Sequence, residues 1–393
     1  MSGPTYAPPP GLAGVRWRAF GIGVLASGVA VAIGAGDPTR FYPAYLLAYH
    51  CWLGIGLGSL ALLMVQHLTG GAWGMMTRRI FEAGAGTLPL MAVMFVPLAF
   101  GLGYLYPWTD TATVMADPVL RQKMTYLSPP FFVARTAFYF AAWIALAWLL
   151  ARWSRAQDRT GDPRYAASMR KLSGGGLVLW CLTLTLAAVD WLMSLEPHWF
   201  STIFGLIVVG GQGLSALAFA IIVLSRLAAR EPLAGVVKPV HFHDLGNLLL
   251  AFVVLWAYLA FSQLLIIWSG NLAEEIPWYL HRIQGSWTAV AVAIAVFYFA
   301  VPFLLLLSRQ RKRRARAIAA VAGAILVARL VDLIFLIGPE FSPAGFRVNA
   351  VDAAAVVGIG GLWIAMFAWQ LGRRPLLPVG DPDLQDGISP AHG

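Results

Sequence analysis

The chain has 393 residues, 59% hydrophobic and only 12% charged, with a mean hydropathy of +0.71. Soluble domains carry roughly a quarter charged residues, so this composition excludes a water-soluble enzyme fold and predicts a polytopic membrane protein. The formal charge of +10 does not indicate a nucleic-acid reader, because the basic residues sit in short segments between apolar runs, not in one basic domain.

Apolar runs of about 20 residues match a hydrocarbon core of about 30 Å. In chain order they are 17–34, 42–68, 83–105, 131–151, 172–194, 202–227, 246–268, 285–308, 317–337 and 349–372. The sequence therefore predicts an all-α membrane protein of about ten transmembrane helices. The Pro-rich segment 1–16 and the tail 373–393, with Pro378, Gly380, Pro382 and Gly387 following Pro375, read as disordered or partner-bound extensions. Arg16 and Arg18 precede the first run, which reads as an uncleaved helix and not as a signal peptide. Of the 28 Lys and Arg residues, 21 fall in segments on one face of this topology and 5 on the other, while Arg135 and Arg329 lie within runs. Since short basic loops stay in the cytoplasm, both termini are expected there, as an even number of spans requires.

Three motifs recur in one order along the chain. Gly56-Leu57-Gly58-Ser59-Leu60-Ala61-Leu62 in the second run resembles Gly211-Gln212-Gly213-Leu214-Ser215-Ala216-Leu217 in the sixth. Phe138-Tyr139-Phe140-Ala141 in the fourth returns as Phe297-Tyr298-Phe299-Ala300 in the eighth. Val189-Asp190 followed by Pro197 returns as Val331-Asp332 followed by Pro339. The expectation is two parallel four-helix repeats, 42–200 and 201–340, flanked by single helices in 17–41 and 341–372.

Ionisable groups at membrane depth cost several kcal/mol unless paired or hydrated, so they carry most of the information. Arg329 and Asp332 are three apart, a spacing that puts them on one helix face as an ion pair, with a structural role and a functional one equally open. Asp190 has no opposite charge one turn away on its own helix and reads as functional, followed by Glu196-Pro197-His198-Trp199. Arg135 enters the fourth run from the same side, and His50 lies about two turns into the second, beside glycines that permit close helix packing. Gln212 and Gln263 add neutral hydrogen-bonding groups. Asp190, Glu196, His50, Arg135, Asp332 and Arg329 are the candidates for a proton path.

At the cytoplasmic ends, His67, Glu82, His243 and Asp244 are candidates for its mouth, with Gln66 and His241 nearby. Glu82 and Asp244 each precede an apolar run, where a carboxylate also serves simply as a cap on the helix dipole. His241 and His243 lack a third ligand nearby, so no metal is assigned. Trp52, Trp108, Trp199, Tyr279 and Trp287 near run ends read as interfacial anchors.

Cofactor motifs are missing from the sequence. Two histidines on facing helices would be needed for a haem b, and only the second run carries any, His50 and His67. Cys51 and Cys181 both lie inside apolar runs, which leaves neither a disulfide framework, nor a c-type haem motif, nor an iron–sulfur cysteine run.

Two long segments carry a family resemblance. One is Asp190-Trp191-Leu192-Met193-Ser194-Leu195-Glu196-Pro197-His198-Trp199-Phe200-Ser201-Thr202-Ile203-Phe204-Gly205. The other begins His243-Asp244-Leu245-Gly246-Asn247-Leu248-Leu249-Leu250-Ala251-Phe252 and continues through Trp256-Ala257-Tyr258 and Phe261-Ser262-Gln263 to Trp268-Ser269-Gly270-Asn271-Leu272 and Glu274-Glu275-Ile276-Pro277. They resemble the second large membrane subunit of bacterial alternative complex III, the ActF-type family related to NrfD and the polysulfide-reductase membrane subunit. The resemblance implies a subunit of a quinol:cytochrome c or quinol:oxidase oxidoreductase in the bacterial inner membrane. The implied partners are a homologous quinol-binding membrane subunit, an iron–sulfur subunit, c-type cytochromes and a terminal oxidase. Haem c and iron–sulfur clusters then belong to those partners, and quinone or quinol is the one ligand left open for this chain. Four roles follow as alternatives: a proton-conducting path with a scaffold, a second quinone-binding subunit, a scaffold without transport, and an independent secondary transporter.

Overall fold

Ten helices are long and apolar enough to cross a bilayer: α1 (Gly11–Gly34), α2 (Pro38–Thr69), α3 (Ala72–Phe100), α4 (Pro129–Thr160), α5 (Arg164–Leu195), α6 (Phe204–Leu227), α7 (Pro239–Gly270), α8 (Trp287–Leu307), α9 (Ala315–Phe341) and α10 (Ala350–Leu371). The computed structural model describes residues 6–388, among which there is no strand. The chain is an all-α, multi-pass membrane protein. One end of the bundle carries the connections α2–α3, α4–α5, α6–α7 and α8–α9 with most of the arginines in or next to them, and is the basic end.

Local chemistry sets the helix limits. Proline opens α2, α4 and α7 at Pro38, Pro129 and Pro239, where its missing N–H would be unpaired anyway. α4 ends at Gly161 with φ +65° and α7 at Asn271 with φ +48°, left-handed stops that Gly and Asn tolerate best. Within α3, Pro89 and Pro97 break the ladder into shorter helical pieces. The loosened carbonyls find donors on α2, where Tyr49 Oη donates to Met91 O at 2.9 Å and Tyr45 Oη to Met94 O at 2.8 Å. Inside a bilayer such replacement is obligatory. α8 carries a π-helical stretch, Ile294–Ala300, just ahead of Pro302, which cannot donate to the preceding turn.

α2, α3, α4 and α5 pack as a closed ring, and α6, α7, α8 and α9 close a second ring with the same order of neighbours. The rings join mainly along α2 and α6, and α10 ties α1 to both α2 and α3. Glycines set these approaches. A Cβ on Gly58 would lie 2.1 Å from the Gln212 carbonyl oxygen of α6, and one on Gly23 of α1 would lie 2.6 Å from the Leu362 nitrogen of α10. Without a hydrophobic driving force between helices in lipid, such backbone contact provides the dispersion that holds them.

Several expectations need correction. α3 starts at Ala72, so Glu82 caps nothing: it lies inside the helix, with Arg78 and Arg79. α7 starts at Pro239, so Asp244 falls in the second helical turn. The tail beyond Pro375 is not a free extension: Leu376, Leu377 and Leu384 are buried, and Leu376 N donates to Tyr6 O at 2.7 Å. Expectations for residues 1–5 and 389–393 lie outside the described residues. Trp108, Trp199 and Trp287 are buried in the fold. Trp108 Nε1 donates to Ser194, and Trp199 stacks on Trp278 with ring centroids 4.7 Å apart.

Candidate functional site

Each ring holds one buried Asp–Arg centre near the end opposite the basic one. In the first, Arg135 of α4 meets Asp190 of α5 in parallel, Nε to Oδ2 and Nη2 to Oδ1, both at 2.9 Å. Tyr139, one turn beyond Arg135, donates to Asp190 Oδ2 at 2.8 Å. Both Asp190 and Tyr139 are buried. Asp190, which has no opposite charge one turn away on its own helix, takes its partner from the neighbouring helix, 55 residues away, where helical spacing rules do not look. The guanidinium also lies over the Tyr126 ring at 3.8 Å, a cation–π contact. Tyr126 lies outside the spans, and burial with the nearby Asp190 charge pushes its phenol up to about 12. Around the pair, Trp191 packs against Phe95, Phe140, Trp143 and Tyr139 with centroids 5.2 to 6.2 Å apart.

In the second ring Arg329 and Asp332 form the expected pair on one face of α9, both buried. Tyr298, which stands in α8 where Tyr139 stands in α4, is fully buried beside them. The motif match thus places a tyrosine beside each aspartate–arginine pair, although the Tyr298 hydroxyl has no hydrogen-bond partner among the described residues. The arginine differs: the residue one turn before Tyr298 is Ile294, and the guanidinium comes instead from α9. Gly211 makes room for it, since a Cβ there would lie 2.5 Å from Arg329 Nη1.

His50 sits between the centres, on α2. Its Nδ1 faces Leu46 O at 3.0 Å and its ring edge faces Trp191 at 5.8 Å. With Nδ1–H donating to that carbonyl, neutral His50 presents Nε2 as an acceptor, and Nε2 has no partner among the described residues. Gln212 of α6, packed against Gly54, likewise leaves Oε1 without a donor.

At the basic end, Glu82 is the centre of a buried ionic network. It accepts from Arg78 Nε at 3.1 Å, Arg79 Nη1 at 2.7 Å, Arg374 Nη1 at 2.8 Å and Ser154 Oγ at 2.6 Å. Arg79 also binds Asp158 at 2.5 Å, and Arg78 reaches Asp381 of the tail at 2.6 Å and Gln157 at 3.0 Å. Three arginines thus meet three carboxylates, which is the neutrality that burial demands. His67 and Gln66 lie beside this network, and His67 Nε2 and Gln66 Oε1 find no partner among the described residues. His243 and Asp244 are not brought to Glu82: they pair with each other at 3.6 Å on the rim. His241 caps its own helix, accepting from Lys238 N at 2.9 Å.

Glu196 bridges the two rings at the opposite end. It binds Arg282 Nη2 at 2.7 Å, and Arg282 also donates to the carbonyls of Trp278, Phe335 and Leu336. Burial pulls the Arg282 pKa down from its ordinary value, with Glu196 acting against it. Glu196 and Glu340 flank the matched prolines Pro197 and Pro339, and both line a cleft of about 1010 Å³ between the rings. Gln263 accepts from Ser201 Oγ at 2.9 Å. Sequence reasoning missed Tyr139, Arg282 and Glu340; the recurrence of Phe-Tyr-Phe-Ala was the available signal for the first.

No protein-family model matches the chain, and no curated protein sequence matches it. Among the described residues, no three His, Cys, Asp or Glu side chains converge in a metal-holding group.

Proposed function

We propose that this chain is a membrane subunit of a quinol oxidoreductase of the alternative complex III type, contributing a proton-conducting path and a scaffold beside a quinol-oxidising subunit. The family part of this reading rests on the two segments beginning at Asp190 and His243. The role rests on one observation: among the buried polar atoms without partners in the described residues, four lie on α2 or packed against it, at His50, Gln212, Gln66 and His67. His50 Nε2 lies on α2 beside Trp191, Gln212 Oε1 on α6 where it packs on Gly54, and Gln66 Oε1 and His67 Nε2 beside the Glu82 network. A buried polar group left unpaired costs about 1–3 kcal/mol, and ordered water removes that cost. Water at these atoms gives the first ring hydrated pockets at both ends, with Asp190 and Glu82 as their charged limits. Because Asp190 is held by Arg135, the group left to relay protons with such water is His50, through its unpartnered Nε2.

The test is made on the assembled complex in vesicles. His50→Phe should leave quinol oxidation running while lowering the protons moved per electron. An unchanged ratio in an intact complex removes the path and leaves the scaffold. Isolation of the chain from its native membrane with no haem-bearing partner contradicts the family part separately.

A further inference from the structure

At the end opposite the basic one the chain carries five basic residues, Arg40, Arg121, Lys123, Arg282 and Arg347. Three are absorbed by the fold: Arg282 binds Glu196, Arg121 donates to Met115 O, and Lys123 Nζ donates to Pro197 O at 2.6 Å. The other two are not. The Arg347 side chain has neither a hydrogen bond nor an ion pair among the described residues. The Arg40 side chain meets only Asp37, at 3.2 Å and with both side chains exposed, a pairing that solvent leaves worth little. Both arginines line one cavity of about 350 Å³, enclosed by the start of α2, the end of α9 and the segment 342–349 that leads into α10.

That segment is fastened at several points. Trp287 Nε1 donates to Ser342 O at 3.0 Å, Phe346 N to Ser286 Oγ at 2.7 Å, and Asn349 N to Asp352 Oδ2 at 2.8 Å. Gly345 turns the chain with φ +142°, which glycine alone adopts readily. Arg347 is thus held by its neighbours while its charge stays unspent. The one carboxylate in the lining is Asp352, so the two arginines leave an excess of positive charge. Deeper walls are apolar, with Pro43, Ala44 and Leu47 on α2 and Ile334 and Ile337 on α9. Leu47 lies nine residues past Pro38, about 14 Å along the helix axis, so the space runs from the end of the spans toward the bilayer interior.

We propose that this cavity binds a phosphate group, whose oxygens accept hydrogen bonds from Arg347 and Arg40. Guanidinium forks match phosphate geometry and gain from its charge, and basic pockets between spanning helices are suited to lipid headgroups. Two sources supply the phosphate: the phosphodiester of a phospholipid with an acyl chain along Leu47 and Ile337, and a soluble phosphate ester from the aqueous side. The inference stands on the cavity and its two arginines, and depends on neither the proton path nor the family resemblance.

The experiment uses the full chain, delipidated in a neutral detergent and followed by native mass spectrometry. The probes are dioleoylphosphatidylglycerol, dioleoylglycerol and glycerol phosphate. Saturable binding of about one phosphatidylglycerol per chain without glycerol phosphate binding assigns the lipid phosphodiester; saturable glycerol phosphate binding assigns the soluble ester. Dioleoylglycerol, which keeps the acyl chains and lacks the phosphate, should bind far more weakly than phosphatidylglycerol. Arg347→Gln and Arg40→Gln change exposed side chains and should leave the fold intact. Each should weaken binding about ten-fold, the equivalent of one hydrogen bond to a charged group, and the two together should abolish it. Arg121→Gln removes the same charge from the same end outside the cavity and should leave binding unchanged. Binding of neither phosphate probe, dioleoylglycerol binding as tight as phosphatidylglycerol, binding unchanged in the folded double variant, or an equal loss in Arg121→Gln overturns the site.

Discussion

Arg135 and Asp190 face each other across α4 and α5 in a two-pronged contact, each nitrogen 2.9 Å from its own carboxylate oxygen. The parallel geometry is the strongest form of guanidinium–carboxylate bonding, and it joins two helices that also meet through Tyr139 on Asp190, Trp143 on Thr183 and Trp191 on Thr136. Breaking it strands a charge in a buried site. Arg135→Ala should therefore cost about 3–5 kcal/mol of stability, read as a fall in the melting temperature of the detergent-solubilised protein. The double variant Arg135→Met with Asp190→Leu should be more stable than either single change, because no buried charge is left without a partner. A double variant no better than the singles contradicts this account.

The tail makes a second such contact, Asp381 on Arg78, with side chains 6% and 1% exposed. Asp381→Ala leaves Arg78 with Glu82 and neutral acceptors only. The expected result is a loss of thermal stability comparable to removal of the whole tail after Arg374, and faster tryptic cleavage in 373–388. Equal melting of the wild type and both variants would show the tail to be energetically idle.

Much of this was legible in the sequence, and the parts that were not have a common cause. The apolar runs located all ten spans because hydrophobic length is a local property. The Arg329–Asp332 pair was legible for the same reason, being three residues apart on one helix. Arg78, Arg79 and Glu82 read as a polar connection because charge seldom enters a span, and only the fold supplies Asp158, Arg374 and Asp381 to neutralise it. The partner of Asp190 was not legible because its arginine comes from another helix. Proline and glycine in the tail suggested a free end, although Leu376 and Leu377 in the same stretch had the apolarity to bury themselves.

Topology can be checked directly. In a background with Cys51 and Cys181 replaced by serine, a cysteine at Gln310 should react with an impermeant maleimide from one side of the membrane only. A cysteine at Asn271 should react only from the other, with Gln310 on the cytoplasmic side by the basic count. Labelling of both from one side removes the ten-span arrangement.

Acid should loosen the connection between α3 and α4 before the spans themselves. Asp110 and Asp117 cap the short helices Thr111–Ala116 and Pro118–Lys123 through backbone N–H groups. The Thr113 hydroxyl, followed by backbone donors, holds Asp110 below its ordinary 3.8. A carboxyl lowered on folding contributes stability above its unfolded value and loses it as pH falls through the folded one. A spin label at position 112 should therefore gain mobility only below about pH 3.8. Mobility rising already near neutral pH would contradict this account.

The exchange of arginine between the two rings has a mechanical consequence. On the α4–α5 side, the ion pair is a rivet between two rods, and sliding one past the other means pulling a guanidinium from its carboxylate. On the α8–α9 side both charges ride on the same rod, so α8 can shift without separating them, and its π-helical stretch beside Pro302 gives it a joint. One half of the molecule is thereby built as a frame and the other as a hinge. Deuterium exchange on the assembled protein should show that asymmetry, fast in Ile294–Ala300 and slow across Arg135–Trp143.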